Sequence, residues 1–260
     1  MISWISGVDE RIDFVLPDYL VMETSGFGGS PVQLQTLQGL GQSGVTLVDQ
    51  LLEPRVLRLI ILVEGSSRGE VENKRRELLR LFNAQLGLGR IRWGREVGGI
   101  YEIEVIVKDI EFVASEDFGQ FHEEVEVELV APDPCWFEPT INTKIIDSSP
   151  ITITNKGDIF TSTKIVVSGP AENVIVKNKT TGEKMTLVVS LTVNQKLEVN
   201  SKIGGKEISL ITANDERVNY FKVLTPGSDF ITLAPGVNEL TCNLIGGQIE
   251  ITYYHRYLGI

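Results

Sequence analysis

The sequence predicts a mainly β protein built from two domains, and three observations support this prediction. Short segments in which apolar and polar residues alternate recur along most of the 260 residues, as they do in half-buried strands. Only one long segment has helical periodicity. A cluster of prolines at Pro132, Pro134 and Pro139 interrupts the pattern in the middle of the chain, because proline removes a backbone donor and fixes φ.

The composition of the chain changes at the same place as the prolines. Residues 1–132 contain 12 basic and 22 acidic residues, a net charge of −10, whereas residues 133–260 contain 12 and 13, a net charge of −1. A change in composition that coincides with a proline cluster indicates a domain boundary. We therefore predict an N-terminal domain at 1–132, a proline-rich junction at 133–139 and a C-terminal domain at 140–260.

The first elements of the chain are an irregular strand and a glycine-rich segment. Residues 14–24 have strand character but contain Pro17, and residues 25–44 offer little core material. We predict a hairpin-like arm or long loop there, which cannot bury its own apolar side chains. Its Gly39, Gly41 and Gly44 have the spacing of a dinucleotide-binding loop, but a strand follows them where that motif requires a helix, so we predict a turn.

A strong strand at residues 55–63 is followed by the single long helix, predicted at 68–86. Ser66 or Ser67 can cap its N-terminus. Its basic residues are interleaved with glutamates, which indicates a solvated face and not a phosphate site. The residues that share its apolar face are Val71, Leu78, Leu81, Phe82 and Leu86.

Glutamates alternate with apolar residues in two of the strands that follow the helix. They are Glu102 and Glu104 in one strand and Glu124, Glu126 and Glu128 in another. Solvated like charges on one face of a sheet repel each other. Either Arg90 and Arg92 on a neighbouring strand neutralise this acidic row, or the row lines a surface on which negative potential is useful, and the sequence leaves both readings open.

From Ile141 onward, short strands alternate with turn residues at intervals of about ten residues, which predicts an antiparallel sandwich. Such a sandwich could serve as a carbohydrate- or receptor-binding module, and this is the alternative function that we keep. No Trp follows Trp136 to provide a sugar-stacking surface.

The sequence predicts no catalytic residue, no cofactor and no metal site. His122 and His255 lie in no recognisable nucleophile motif, and Cys135 and Cys242 are too isolated for a metal site, so we expect two free thiols. A hydrolase whose carboxylates meet only in the folded chain is a third, weaker alternative.

Two classes of partner are disfavoured by the sequence. The acidic excess argues against specific nucleic-acid binding, because contacts to phosphates require Lys and Arg. No apolar run approaches the length of a membrane span, and the first residues lack the features of a secretory signal, so we expect no membrane insertion.

Four stretches, in their order and spacing, resemble the distal tail proteins of bacteriophages with long, non-contractile tails. They are RVLRLIILVEGSSRGEVENKRRELLRLFN, LVAPDPCWFEP, FITLAPGVNEL and IEITYYHRYLGI. The resemblance implies an N-terminal, sandwich-like β domain that forms a ring and carries one helix, followed by a galectin-like C-terminal sandwich. It also implies a structural, non-enzymatic role for a phage or prophage protein.

In that family, the resemblance implies a homohexameric ring at the tail tip of the virion, assembled in the cytoplasm of the bacterial host. The ring would join the tail tube protein to the tail-associated hub protein and support host adhesion. The arm would then contact a neighbouring subunit, and the acidic row would face the lumen, where it would repel the phosphates of passing DNA. The candidate arm residues are Phe27, Val32, Leu34, Leu37 and Leu40.

Overall fold

A computed structural model describes residues 1–95, 97–113, 121–146 and 149–260 of the chain. Antiparallel sheets account for most of the described residues, and one α-helix occurs among them, so the prediction of a mainly β fold is confirmed. Within the part of the chain that the structure describes, no helix is long and apolar enough to cross a membrane.

The chain divides into two compact units. The first comprises Met1–Phe137 together with Leu258–Ile260, and the second comprises Glu138–Tyr257. The sequence interpretation assigned residues 258–260 to the second domain, but in the structure the chain returns to the first unit at Leu258. The second unit is therefore inserted into the chain of the first.

In the main antiparallel sheet of the first unit, neighbouring strands follow the order β2-β1-β7-β8-β9-β6-β3. A short strand, β10, pairs with β8, and β4 and β5 form a separate two-stranded hairpin. The strands are β1 (Ile2–Ile5), β2 (Arg11–Asp13), β3 (Tyr19–Ser25), β4 (Val32–Leu37), β5 (Thr46–Leu52), β6 (Arg55–Glu64), β7 (Gly89–Arg95), β8 (Gly99–Val113), β9 (His122–Ala131) and β10 (Trp136–Phe137).

The core of the first unit lies on one face of this sheet. Alternate residues of β6, β8 and β9 are fully buried there, as period-two patterning requires. From the helix, Val71, Leu78 and Leu81 are buried as well. The central members of the core are Leu57, Leu59, Ile61, Ile103, Val105, Val125, Val127 and Leu129.

The helix, α1, extends over Arg68–Leu81 and is shorter than the predicted range of 68–86. Ser67 caps its N-terminus by accepting a hydrogen bond from the Glu70 amide. At the other end, the Asn83 side chain accepts from the amide of Gln85 and begins a separate 3-10 turn at Ala84–Leu86. This local bond competes with helix continuation, so the apolar spacing of Leu86 was misleading.

The second unit is a sandwich of two antiparallel sheets. One has the order β11-β21-β13-β16-β17-β18, with β19 also paired to β13, and the other has the order β12-β20-β14-β15. The strands are β11 (Asn142–Ile146), β12 (Ile151–Asn155), β13 (Thr161–Ser168), β14 (Ala171–Asn178), β15 (Lys184–Leu191), β16 (Lys196–Asn200), β17 (Glu207–Ile211), β18 (Arg217–Asn219), β19 (Thr232–Leu233), β20 (Gly236–Ile245), β21 (Gln248–Tyr253) and β22 (Arg256–Tyr257).

The two sheets of the second unit share one apolar core. Ile153, Ile165, Val176, Leu187 and Ile251 are among its fully buried members. A 3-10 turn at Phe221–Val223 contributes Val223 to the same core. Each sheet buries one face, as expected for a sandwich, and no α-helix is needed to cover it.

Candidate functional site

The glycine-rich segment forms a β-hairpin, which we call the arm (residues 31–53). In its two strands Val32 pairs with Leu52, and Leu34 pairs with Gln50. Every residue from 32 to 54 is exposed. The predicted arm ended at residue 44, but the second strand continues it through Leu52, and Gly39–Gly44 form the turn at its tip as predicted.

The two faces of the arm differ in polarity. A register shift between Gln35 and Thr36 places Leu47 opposite Thr36, so Leu47 lies on the same face as the alternate residues Val32 and Leu34. The more apolar face carries Val32, Leu34, Leu47 and Leu52 together with Thr36 and Gln50, whereas Gln33, Gln35, Leu37, Thr46, Asp49 and Leu51 lie on the other. An isolated two-stranded hairpin is marginally stable in water, and exposed apolar patches commonly mark interaction sites.

Of the five predicted arm residues, Phe27 does not belong to the arm. Its side chain is 5% exposed, and its ring centroid lies 5.0 Å from that of Trp93 and 5.2 Å from that of Trp136. Phe27 therefore anchors the base of the arm in the core of the first unit. Val32, Leu34, Leu37 and Leu40 are exposed, and Leu40 lies at the tip.

The segment that leads into the arm is held by Arg55, which sequence analysis did not select. Arg55 is 1% exposed. Its Nη1 donates to the carbonyl oxygens of Gly26 at 2.7 Å and Gly28 at 2.6 Å, and its Nη2 donates to Ser30 Oγ at 2.7 Å. The sequence contains a signal for this burial, because Arg55 has the same strand parity as the buried Leu57 and Leu59.

Glu102 departs from the predicted acidic row because its carboxylate is buried. It is 2% exposed, and its Oε1 lies 2.5 Å from Arg92 Nη2. Arg90 Nε lies 3.9 Å from its Oε2. Strand β7 pairs with β8, so Arg92 stands opposite Glu102 and Arg90 opposite Glu104. Arg90 and Arg92 therefore lie across from the β8 glutamates and not from those of β9.

Glu128 also has cationic partners. Lys108 and Arg58 both form ion pairs with its carboxylate, Arg58 at 3.2 Å. The hydrogen bond from Lys108 is the largest of the effects that together hold the pKa of Glu128 below its usual value, and the charge of Arg58 acts in the same direction. Glu128 is thus largely neutralised by its own unit.

Glu124 and Glu126 are placed differently from the other acids of the row. They alternate with the buried Val125 and Val127, so they point away from the core. Glu126 stands directly opposite Glu111 in β8, and Glu124 stands opposite Val113. No ion pair is recorded for Glu124 or Glu126 among the residues that the structure describes, so this part of the sheet face has a net negative charge.

Four basic residues of the helix, Lys74, Arg75, Arg76 and Arg80, are engaged in ion pairs, which agrees with the predicted solvated face. Arg76 pairs with Glu72 at 3.3 Å, Arg75 pairs with Glu123 at 3.2 Å, and Lys74 pairs with Asp18 at 2.8 Å. These partners compete with any phosphate for the same cations.

The second unit has an open depression of about 270 Å³. Glu172, Asn173, Val188, Val189 and Ser190 line it. None of these side chains is aromatic, so the depression offers no surface on which a sugar ring could stack. Neither Cys135 in the first unit nor Cys242 in the second takes part in a disulfide bond.

No metal-binding cluster is found in the described ranges, where no three His, Cys, Asp or Glu side chains are grouped to hold an ion. His255 Nδ1 lies 3.1 Å from the Lys156 amide, which donates to it. This histidine therefore has a structural partner in the second unit.

Comparison with known proteins identifies relatives of both the sequence and the fold. Residues 156–257 match the family model of the siphovirus-type tail component, C-terminal domain. A search of curated proteins gave no significant match.

Three solved structures are similar over the whole chain. One is the crystal structure of the SPP1 Dit protein, described as a paradigm of the hub adsorption apparatus in phages that infect Gram-positive bacteria. It has a TM-score of 0.75 at 14% identity and covers 98% of this chain and 99% of that one.

The other two structures are of the phage P2 baseplate in its activated conformation. The form with Ca has a TM-score of 0.61 at 9% identity and covers 100% of this chain and 99% of that one. The form with Sr has a TM-score of 0.60 at 9% identity and covers 100% of both chains. The resemblance to siphophage distal tail proteins is confirmed, because residues 156–257 match a siphovirus-type tail component and the solved structures share the fold of the chain.

Proposed function

We propose that this chain is a structural component of the phage tail tip, in which six copies form a ring. The ring joins the tail tube protein to the tail-associated hub protein and serves as a platform for the adhesion apparatus. The match of residues 156–257 to a siphovirus-type tail component supports this function. The identities of the host and of the neighbouring tail proteins depend on the phage that carries the gene.

The arm is the single observation that supports oligomerisation most directly. A hairpin with both strands exposed, and with four aliphatic side chains on one face, is only marginally stable in water without a partner. A neighbouring copy of the first unit is the partner that a closed ring supplies at every arm. We therefore assign the apolar face of the arm to the contact between subunits.

The role of the first unit as a lumen wall is a second part of this proposal. Glu124, Glu126 and Glu104 lie on the sheet face that points away from the core, and the N-terminal part of the chain holds nearly all of its net negative charge. A channel through which DNA passes benefits from walls that repel phosphate, because attraction would retain the polymer at each contact. We exclude the buried Glu102 and the neutralised Glu128 from this lining.

The experiment that tests this function is the mass of the full chain in solution. The wild type is expected to form a hexamer at high concentration, and Leu34→Glu/Leu47→Glu, which charges the apolar face of the arm, is expected to stay monomeric. Gln33→Glu/Gln35→Glu is the matched control, because it adds the same charge to the opposite face. A strictly monomeric wild type would overturn the ring, and a hexameric Leu34→Glu/Leu47→Glu would overturn the role of the arm.

A further inference from the structure

Arg55 contacts the chain on both sides of the inserted second unit. Its Nε donates to the carbonyl oxygen of Pro134 at 2.8 Å, four residues before that unit begins. Its Nη2 donates to the carbonyl oxygen of Leu258, the first residue after that unit ends. One guanidinium in the first unit thus holds the outgoing and the returning segment of the chain.

The same guanidinium also holds the root of the arm, defined here as residues 26–30. Gly26, Gly28 and Ser30 accept its other three hydrogen bonds. Arginine has five N–H donors, and all five are used. The acceptors are neutral oxygens, so no carboxylate is required, and no donor is left for another ligand.

Residues 258–260 contact the root of the arm directly as well. The hydroxyl of Ser30 donates to the Leu258 carbonyl at 3.0 Å, and the Ile260 amide donates to the Phe27 carbonyl at 3.3 Å. Gly259 packs so closely that a Cβ on it would lie 2.4 Å from the carbonyl oxygen of Gly28. Real Cβ atoms do not approach oxygen at that distance, so only glycine fits here.

We propose that Arg55 is a positioning residue that makes the root of the arm depend on the return of the chain from the second unit. Residues 258–260 act as a latch on residues 26–30, and the arm takes its fixed direction only when the latch is closed. Because Leu258 follows the whole second unit in the chain, a growing polypeptide cannot close the latch before that unit has been synthesised. Resting on the proposed ring function, the latch delays subunit contact until the chain has been synthesised through Ile260.

The test uses the full chain with Gly259→Ala, which adds the single Cβ that the Gly28 carbonyl excludes. Gly205→Ala is the matched control, because nothing lies within 4 Å of a Cβ at that position. Hydrogen exchange of the monomer is the first readout. We expect exchange at residues 26–30 to rise by about tenfold in Gly259→Ala, with the amides of β6 and β8 unchanged, and no change in the control.

Arg55→Lys provides an independent variant, since lysine keeps the charge but has three donors and no planar fork. Arg55→Lys is also expected to raise hydrogen exchange at residues 26–30. Hexamer formation is the second readout and is expected to be lost in both variants. The latch is overturned if Gly259→Ala accelerates exchange at Ile260 but leaves residues 26–30 as protected as in the wild type. That outcome is independent of the ring, because it is measured on the monomer.

Discussion

Arg92 Nε lies 2.7 Å from Glu102 Oε1, and the carboxylate that it binds is almost completely removed from solvent. The two residues are direct partners across β7 and β8. A buried carboxylate is tolerated when a cation accompanies it and is costly when that cation is removed. This pair therefore contributes to the stability of the first unit and not to the acidic surface.

Arg92→Met is expected to destabilise the first unit, because it leaves the Glu102 carboxylate buried with Arg90 as its only remaining cation within 4 Å among the described residues. We expect a loss of about 3 kcal/mol in the free energy of unfolding. Trp4, Trp93 and Trp136 all belong to this unit, so tryptophan fluorescence in a denaturant titration reports its unfolding selectively. The double variant Arg92→Met/Glu102→Leu should recover most of the loss, and a double variant as unstable as Arg92→Met would contradict the pairing.

The lumen assignment predicts an effect of Glu124→Gln/Glu126→Gln on DNA ejection. Removal of two carboxylates per subunit lowers the repulsion of phosphate, so ejection from virions that carry the variant should slow at low salt and recover as salt screens the charges. Ejection kinetics measured by release of dye-accessible DNA provide the test. Glu172→Gln/Glu216→Gln removes the same charge from the second unit and should eject normally. Equal ejection rates for both variants at low salt would contradict the assignment of these glutamates to the lumen.

We expect the stability of the second unit to depend on pH because of His255. Burial is the main cause that lowers the pKa of its imidazole below 6.5, with Lys156 acting in the same direction and Glu138 opposing it. The unfolded chain then binds a proton at His255 more readily than the folded chain does. The contribution of His255 to the free energy of unfolding is therefore complete above pH 6.5 and is lost as the pH falls below it.

Denaturant titrations of the full chain at pH 7.5 and 5.5, followed by circular dichroism, measure this effect. The wild type should lose stability between the two values, and His255→Gln should lose less. His122→Gln, in the first unit, should behave as the wild type does. If His255→Gln loses as much stability between the two pH values as the wild type does, other groups cause the loss.

The inserted second unit is expected to fold as an isolated fragment of residues 138–257. Its apolar core is shared by its own two sheets and has the size of an independent domain. A dispersed amide NMR spectrum is the expected result. Collapsed amide signals would show that the second unit requires the first.

The strands and the helix were predictable because they depend on local periodicity. The alternation in residues 122–130 corresponds to β9, with Val125, Val127 and Leu129 buried. The end of α1 was misplaced because a single side-chain bond at Asn83 outweighed the apolar spacing beyond it. The residues that form such a bond also occur in sequences that continue a helix, so the sequence alone does not show that the bond ends the helix here.

The residues of the candidate site were harder to predict because their environment depends on distant parts of the chain. Glu102 and Glu104 have the same alternation in the sequence, yet only the carboxylate of Glu102 is buried against Arg92. Phe27 was assigned to the arm because it lies among glycines, whereas Trp93 and Trp136, both more than sixty residues away, enclose it. Arg55 has acceptors from three separate stretches of chain, at residues 26–30, at Pro134 and at Leu258.

One guanidinium binds Pro134, four residues before the second unit begins, and Leu258, the first residue after it ends, so the two segments that flank this unit lie within the reach of a single side chain. An insertion with that geometry is an exchangeable module, because a replacement needs only closely spaced termini to leave the host unit undisturbed. The boundary at Phe137 and Leu258 therefore defines a position at which one inserted domain can be exchanged for another. Phages that carry this scaffold can diversify the inserted unit by recombination while keeping the sheet and arm of the first unit unchanged.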